Sequence, residues 1–332
     1  GDAGLTVDEA GFTALMEDQR QRSRSGARAG GDDVARIVAL ASSTTPTRFV
    51  GYDQHETETE VVALDDLGDG RIALRLAESP FYAEGGGQVS DTGTLTAAGV
   101  SGEVTAVYRA GDDQVLVVEF PGPLAVGDAV TASIDADRRG LTQANHTGTH
   151  LLNWALRSVV GSGVRQAGSY VGPDKLRFDF THGEKLPADD LARIEELVSG
   201  KIVADDPVGA AEMSRAEADA LGAIGLFEEK YGEVVRVVSA GDYSRELCGG
   251  THVRSTGEIG PFTVVAESSV GAGARRIEAL TGPAVGAWFA EREAALRADV
   301  EARAARAAEL EEELQAVGGS AEPADAPVTP AE

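Results

Sequence analysis

The chain has 332 residues, enough for two or three domains at roughly 150 residues each, and its 29 basic and 55 acidic side chains leave a net charge of −26. That balance excludes a protein that grips polyanions over a broadly basic surface. A single cysteine excludes a disulfide scaffold and points to a reducing, cytoplasmic compartment. No apolar run reaches the ~20 residues of a membrane span. The start has no signal-peptide pattern and no initiator Met, so a piece of a longer chain is expected.

Residues 1–47 hold a short helical pattern around Phe12, Leu15 and Met16, a break at Gly30-Gly31, and a second short helix over 34–40. Neither can build a core alone, so this stretch reads as a helical lead-in from an upstream domain. From 48 to 137 the apolar period changes to two. Runs at 57–64, 72–76, 104–108, 115–120 and 129–134, separated by Gly- and Asp-rich turns, predict a small β-barrel or sandwich. From Leu141 to near Gly161 the pattern is helical. Strand-like runs follow at 168–171 and 176–180, then a helix opened by Asp189 and Asp190, then strands at 234–238, 262–268 and 276–280. Helices among non-adjacent strands predict an α+β, two-layer domain over 138–282 rather than a doubly wound sheet. After Gly282-Pro283 a long Ala/Glu/Arg-rich helix is expected over 283–317. Val300, Ala307, Leu310, Leu314 and Val317 form a possible coiled-coil edge for self-association, interrupted at Arg303. The Pro/Ala/Glu-rich tail 318–332 is expected to be disordered.

Charge is uneven. Residues 138–177 carry Arg138, Arg139, Arg157, Arg165, Lys175 and Arg177 against Asp174 alone. A positive island in an acidic chain marks where an anionic ligand would be sought, although ordinary surface composition explains it equally well.

Two matched pairs carry the chemistry. His146-Thr147-Gly148-Thr149-His150 sets two imidazoles at i and i+4 on one helix face, one turn apart. Cys248-Gly249-Gly250-Thr251-His252 sets a thiol and an imidazole at the same interval, with glycines that would let the backbone turn sharply. One His pair alone is commonplace. Two pairs that use three of five histidines and the sole cysteine match the four N/S ligands of a Zn2+ tetrahedron. Thr147 stands where a zincin protease needs Glu, and the His-x-Glu and Pro-Cys-x-x-Cys signatures of a base deaminase are absent. A third signal is Pro80-Phe81-Tyr82-Ala83-Glu84-Gly85-Gly86-Gly87-Gln88, where Gly85, Gly86 and Gly87 would let backbone N–H groups approach a ligand, or simply form a hairpin tip.

These segments, with Arg245-Glu246-Leu247 before the cysteine, Val164-Arg165-Gln166-Ala167-Gly168-Ser169, Leu176-Arg177-Phe178-Asp179-Phe180 and Arg275-Arg276-Ile277-Glu278-Ala279-Leu280, resemble the editing region of the alanyl-tRNA synthetase family over roughly 48–282. The family's class II aminoacylation motifs are not found in this sequence. The resemblance implies a β-barrel followed by a zinc-containing editing domain, one Zn2+ on His146, His150, Cys248 and His252, and hydrolysis of the ester joining Ser or Gly to the terminal adenosine of alanine tRNA. It implies Thr149, Gln166 and Cys248 as candidate catalytic residues, with Thr149 limiting pocket size and Gln166 giving polar contacts. Gly85, Gly86, Gly87, Arg165, Arg275 and Arg276 become candidates for the tRNA acceptor end, with neither DNA nor membrane as partner. A second site is physically required because an alanine pocket cannot exclude glycine, and an apolar pocket gains only ~1–3 kcal/mol against one small group such as the serine hydroxyl. Four protein ligands, however, ordinarily mark a structural zinc. A non-catalytic zinc module that only holds tRNA is therefore the competing expectation.

Overall fold

The computed structural model describes residues 31–41, 45–111, 113–225, 232–271 and 273–319. The expected helix around Phe12 and all but the first two residues of the expected tail lie outside the described residues. The described chain forms two compact units, divided between Gly282 and Pro283.

Helix α1 (Gly31–Ala41) precedes the strands β1 (Arg48–Phe49), β2 (Glu56–Gly68), β3 (Arg71–Leu76), β4 (Glu78–Ser79), β5 (Gly93–Ala97), β6 (Val100–Ala110), β7 (Asp113–Glu119) and β8 (Ala129–Ile134). Six of them close an antiparallel barrel in the order β2-β3-β7-β6-β5-β8. Leu74, Leu95, Val104, Leu116, Val118 and Ile134 fill its interior. The alternation that predicted strands fails on β7, whose residues from Asp113 to Val118 are all buried. The outward Val115 and Val117 are covered by Ile37 and Ala41 of α1. The short helix that cannot build a core alone therefore finds one on the outside of the barrel.

Helix α2 (Ala136–Val159) starts where the Asp135 side chain accepts the Arg138 backbone N–H, an N-cap that satisfies one of the helix's free donors. Beyond it lie β9 (Gln166–Val171), β10 (Leu176–Thr181), α3 (Ala188–Ala204), β11 (Val208–Ser214), α4 (Arg215–Ala220), β12 (Val234–Ala240), β13 (Ser244–Leu247), β14 (Phe262–Gly271) and β15 (Ala274–Thr281). The sheet β14-β15-β10-β9 is antiparallel throughout. Its inner face (Leu176, Phe178, Phe180, Ile277, Ala279) packs on Leu151, Leu152, Ala155 and Leu156 of α2 and Ile194 and Val198 of α3, which makes the expected two layers. A second sheet, β11-β12-β13, holds a smaller core of Val235, Val237, Leu247 and Ala218. Strands β11 and β13 escaped sequence analysis: β11 is mostly exposed with no alternation, and β13 is four residues long.

The barrel is fastened to α2 by Arg139, fully buried in an ion pair with Asp91. The same guanidinium donates to the carbonyls of Gly51 and Pro80. Removing one partner of such a buried pair strands the other charge and costs about 3–5 kcal/mol. In the second unit, helix α5 (Pro283–Ala316) leaves Leu296, Val300 and Leu310 exposed, and Arg303 pairs with Asp299 one turn away. Among the described residues no helix is long and apolar enough to cross a membrane.

Candidate metal centre

Every residue of α2 from Ala144 to Asn153 is buried, so the helix carries its polar groups into the interior. His146, His150 and Asn153 recur at i, i+4 and i+7 and share one face. Opposite them runs the loop after β13. His146, His150, Cys248 and His252 offer ligand atoms that all lie within 4.8 Å of one another. Cys248 Sγ is 3.5 Å from His146 Nε2 and 3.3 Å from His252 Nε2. Zn–N bonds of ~2.0–2.1 Å and a Zn–S bond of ~2.3 Å give tetrahedron edges of roughly 3.3–3.7 Å, so the donor set and two of its edges fit a zinc ion.

The loop bends at Gly250, as the glycines led one to expect, but without a left-handed residue. Neither Gly249 nor Gly250 takes the left-handed backbone region. A Cβ on Gly250 would stand 2.1 Å from His146 Cε1, so only glycine lets the loop pass over the imidazole.

The outer nitrogens of His146 and His252 are each held by a side chain from another segment. His146 Nδ1 lies 2.7 Å from Gln88 Oε1, which also accepts the Thr251 backbone N–H at 2.9 Å. The Gln88 amide donates to Thr251 Oγ1 at 2.9 Å. Gln88, fully buried, thus ties the barrel's Gly-rich turn to both halves of the cluster. His252 Nδ1 meets Thr147 Oγ1 at 3.1 Å, and Thr147 Oγ1 accepts the Val253 N–H. With Nδ1–H donated outward, the Nε2 atoms of His146 and His252 present their lone pairs inward, the tautomer a metal needs. Glu246 lies 3.8 Å from His150 Nε2 and is anchored by the Asn153 amide. The loop's outer side is clamped by Arg236, which donates to the carbonyls of Cys248 and Gly250, and by Tyr52, whose hydroxyl donates to the Gly249 carbonyl. Sequence analysis assigned none of these supporting roles. Only Asn153 had a legible signal, as the third member of the His146/His150 stripe.

The electrostatics favour the deprotonated form at two of the four ligands, Cys248 and His252, and the protonated form at His150. Burial alone would raise the Cys248 thiol, but the imidazoles of His146 and His252 outweigh it and hold the group well below its ordinary value. Burial and the neighbouring His146 push His252 down to about 3. Burial also opposes charge on His150, yet the Glu246 carboxylate and the Cys248 thiolate prevail and raise it to about 9. Glu246 itself is raised by burial, partly offset by His150 and the Asn153 amide.

The remaining expected site residues fall in two places. Gly85, Gly86 and Gly87 form a tight turn laced to the end of β9 through Val171 N–H to Gly87 O and Val89 N–H to Val171 O. Gly87 has φ +88°, and a Cβ there would strike Ser169 Oγ. Ser169 in turn accepts from Gln166 Nε2 at 3.2 Å, so Gln166 does reach the Gly-rich turn. Thr149 is buried beside the histidines, its hydroxyl donated back to the Asn145 carbonyl. Arg165 is exposed and donates only to the nearby carbonyls of Ser162 and Val164. Arg275 and Arg276 stand in β15, adjacent in sequence and so on opposite faces of the sheet, each bonded through two nitrogens to a carboxylate: Glu267 for Arg275, Asp179 for Arg276. The positive island is neutralised the same way in part, Arg139 by Asp91 and Lys175 by Glu278, while Arg138, Arg157 and Arg165 donate to backbone carbonyls. A count along the sequence cannot see carboxylates that the fold delivers from elsewhere.

Comparison with known proteins places this geometry. The family model of the threonyl and alanyl tRNA synthetase second additional domain matches residues 235–278, which include Cys248 and His252. The model of class II (A) tRNA synthetases matches residues 1–138, through the barrel. Alanine–tRNA ligase of Rubrobacter xylanophilus is 47% identical over 282 residues, 84% of this chain and 32% of that protein. The enzyme of Stenotrophomonas maltophilia is 43% identical over 332 residues, 95% of this chain and 37% of its own length. That of Lysinibacillus sphaericus is 44% identical over 305 residues, 89% and 34%. The chain spans about a third of the length of these curated relatives. With matches of this identity running through the barrel, the histidine helix and the Cys248 loop alike, the chain belongs to the alanyl-tRNA synthetase family.

Proposed function

We propose that this chain is the editing part of an alanine–tRNA ligase and hydrolyses the ester that joins serine or glycine to the terminal adenosine of tRNA(Ala). The observation that carries the reading is convergence on Gln88. One buried amide touches a helix ligand and the ligand loop, and it ends the Gly-rich turn that Gln166 reaches through Ser169. His146, His150, Cys248 and His252 would hold a Zn2+, which when bound would supply a fixed positive charge able to polarise a carbonyl. The protein's own groups do the rest. The turn at Gly85, Gly86 and Gly87, closed by the Gly85 N–H on the Gln88 carbonyl, binds the acceptor end through the backbone N–H groups of Gly86 and Gly87, with exposed Arg165 as a further cation. Arg275 and Arg276 are proposed only as the charged rim of the sheet, since both already hold carboxylates. Thr149, its hydroxyl committed to Asn145, bounds the pocket and limits the size of the amino acid. Gln166 offers a polar contact that serine satisfies and alanine leaves unpaired. Absence of a Ser-His-Asp order favours direct attack by water, positioned rather than covalently relayed.

The four-ligand closure favours a second reading, a zinc-dependent module that binds tRNA(Ala) without turnover. Purified chain incubated with seryl-, glycyl- and alanyl-tRNA(Ala), with and without a zinc chelator, separates the two. Selective, chelator-sensitive loss of serine and glycine supports editing, whereas binding with no ester loss supports the module. Gln166→Ala is expected to lower kcat/KM for seryl-tRNA by about tenfold, the equivalent of one hydrogen bond to the aminoacyl group. An unchanged rate removes Gln166 from the site.

A further inference from the structure

When water attacks an ester, the carbonyl oxygen takes on negative charge, and a hydrogen-bond donor fixed in advance beside that oxygen lowers the barrier. Four protein ligands leave a tetrahedral ion no open position for it, so the chain itself has to supply the donor. The run from Cys248 to Val253 carries the backbone N–H groups that surround two of the ligands, and most are committed. Cys248 N–H donates to the Arg236 carbonyl and Gly250 N–H to Cys248 Sγ at 3.4 Å. Thr251 N–H donates to Gln88 Oε1 and Val253 N–H to Thr147 Oγ1. The N–H groups of Gly249 and His252 remain, neither with an acceptor among the described residues.

The two differ in how they are held. The Cys248 carbonyl accepts from Arg236 Nη1 at 2.8 Å, and a trans peptide points the Gly249 N–H the opposite way, off the clamped side of the loop. Tyr52 donates to the Gly249 carbonyl at 2.7 Å, and the Arg236 guanidinium stacks on its ring at 3.9 Å. The peptide planes before and after Gly249 are thus both fixed from one side. No hydrogen bond fixes the Thr251 carbonyl, so nothing comparable aims the His252 N–H. Gly249 is exposed, and a Cβ built on it would have no neighbour within 4 Å, which leaves room for an incoming atom. An unbonded amide held rigid next to a metal ligand is preorganised for charge that appears only during reaction.

We propose that the Gly249 backbone N–H is the oxyanion donor for ester hydrolysis. The water oxygen bonds to the ester carbonyl carbon while the C=O π pair moves onto the carbonyl oxygen, which accepts from the Gly249 N–H. Collapse restores the C=O bond and expels the ribose oxygen, which leaves with the proton that the water gave up. The amino acid departs as its carboxylic acid. This inference deepens the editing reading and rests on it for the substrate, an aminoacyl ester of ribose. The donor acts on the reacting carbonyl and not on the amino-acid side chain, so it serves serine and glycine esters alike.

The test replaces Gly249 by glycolic acid through nonsense suppression in cell-free translation, which exchanges the N–H for an oxygen and alters no side chain. Two analogues of seryl-adenosine are titrated into the zinc-loaded chains by calorimetry: an amide, planar at the reacting carbon, and a phosphonate, tetrahedral and anionic there. Glycolate at 249 should lower the phosphonate-to-amide affinity ratio by about tenfold, the loss of one hydrogen bond to a charged oxygen. It should lower kcat for seryl- and glycyl-tRNA(Ala) by about 100-fold in both cases, with KM and zinc affinity within a few-fold of the parent. Glycolate at 250, whose N–H faces Cys248 Sγ, controls for the backbone ester itself and should keep the parental ratio. Poor folding lowers both affinities and so cannot move their ratio. A ratio unchanged at 249, or lowered equally at 250, overturns the donor whatever kcat does. Hydrolysis by the intact chain with an unchanged ratio leaves editing standing and removes Gly249 from it. A lowered ratio without hydrolysis by the intact chain keeps the amide as an anion donor and overturns editing. Failure of the intact chain to bind either analogue overturns both.

Discussion

The two halves of the metal centre reach one point by different means. His146 and His150 stand on the buried stretch of a capped helix, where the backbone alone sets them one turn apart on one face. Cys248 and His252 stand on a loop that has no regular backbone to fix them. They are placed instead by Gln88 on Thr251, Thr147 on His252 and Val253, and Arg236 and Tyr52 on the loop carbonyls. The same sequence interval of four is thus intrinsic geometry in one half and tertiary restraint in the other. Supporting side chains should consequently matter more on the loop side.

The most severe way to break that contrast is to remove a ligand outright. Cys248→Ser should lower zinc affinity by more than ~100-fold, measured by competition with a chromophoric chelator, since loss of even a supporting group commonly costs 10–100-fold. An affinity within a few-fold of the parent would mean that the thiol does not bind the ion. A sharper probe is Gln88→Ala, which leaves all four ligands in place but frees His146 Nδ1 and Thr251. It should cost about 10–100-fold in zinc affinity. Gln88→Glu, which keeps an acceptor for both donors, should recover most of it, an outcome that a purely space-filling Gln88 would not give.

The smallest expected change, taken per pH unit, is in the pH dependence. In the metal-free protein His150 is raised to about 9, so it holds a proton at pH 7 that an incoming ion must displace. Cys248, held well below its ordinary value, contributes none. Low pH therefore opposes binding. Apparent zinc affinity should rise by about tenfold per unit between pH 7 and 9 and then level off. Calorimetry in buffers of different ionisation heat should count about one proton released at pH 7. Release of two would show that the thiol is protonated and that the loop half is less prepared than its contacts suggest.

Much of the fold was legible because its signals are local. The alternation at 57–64 and 129–134, the 3.6-residue period after Leu141 and the break at Gly282-Pro283 each reappear as β2, β8, α2 and the start of α5. Strand β11 was not legible because an exposed strand carries no alternation. Strand β7 was found, but the reason for its continuous burial, the cover supplied by α1, lies about eighty residues upstream. Charge was the least legible property: Arg139, Arg275 and Arg276 read as free cations along the chain and are paired in the fold.

The sequence by itself determined which residues can bind a metal and that His146 and His150 face one way, because ligand chemistry and helix pitch are properties of a few consecutive residues. Only the tertiary structure decided that a barrel glutamine orients a helix histidine and that Gly250 must be glycine to clear an imidazole. Hydrogen bonds and ion pairs depend on distances between segments that burial of apolar surface brings together, and no local pattern encodes those distances.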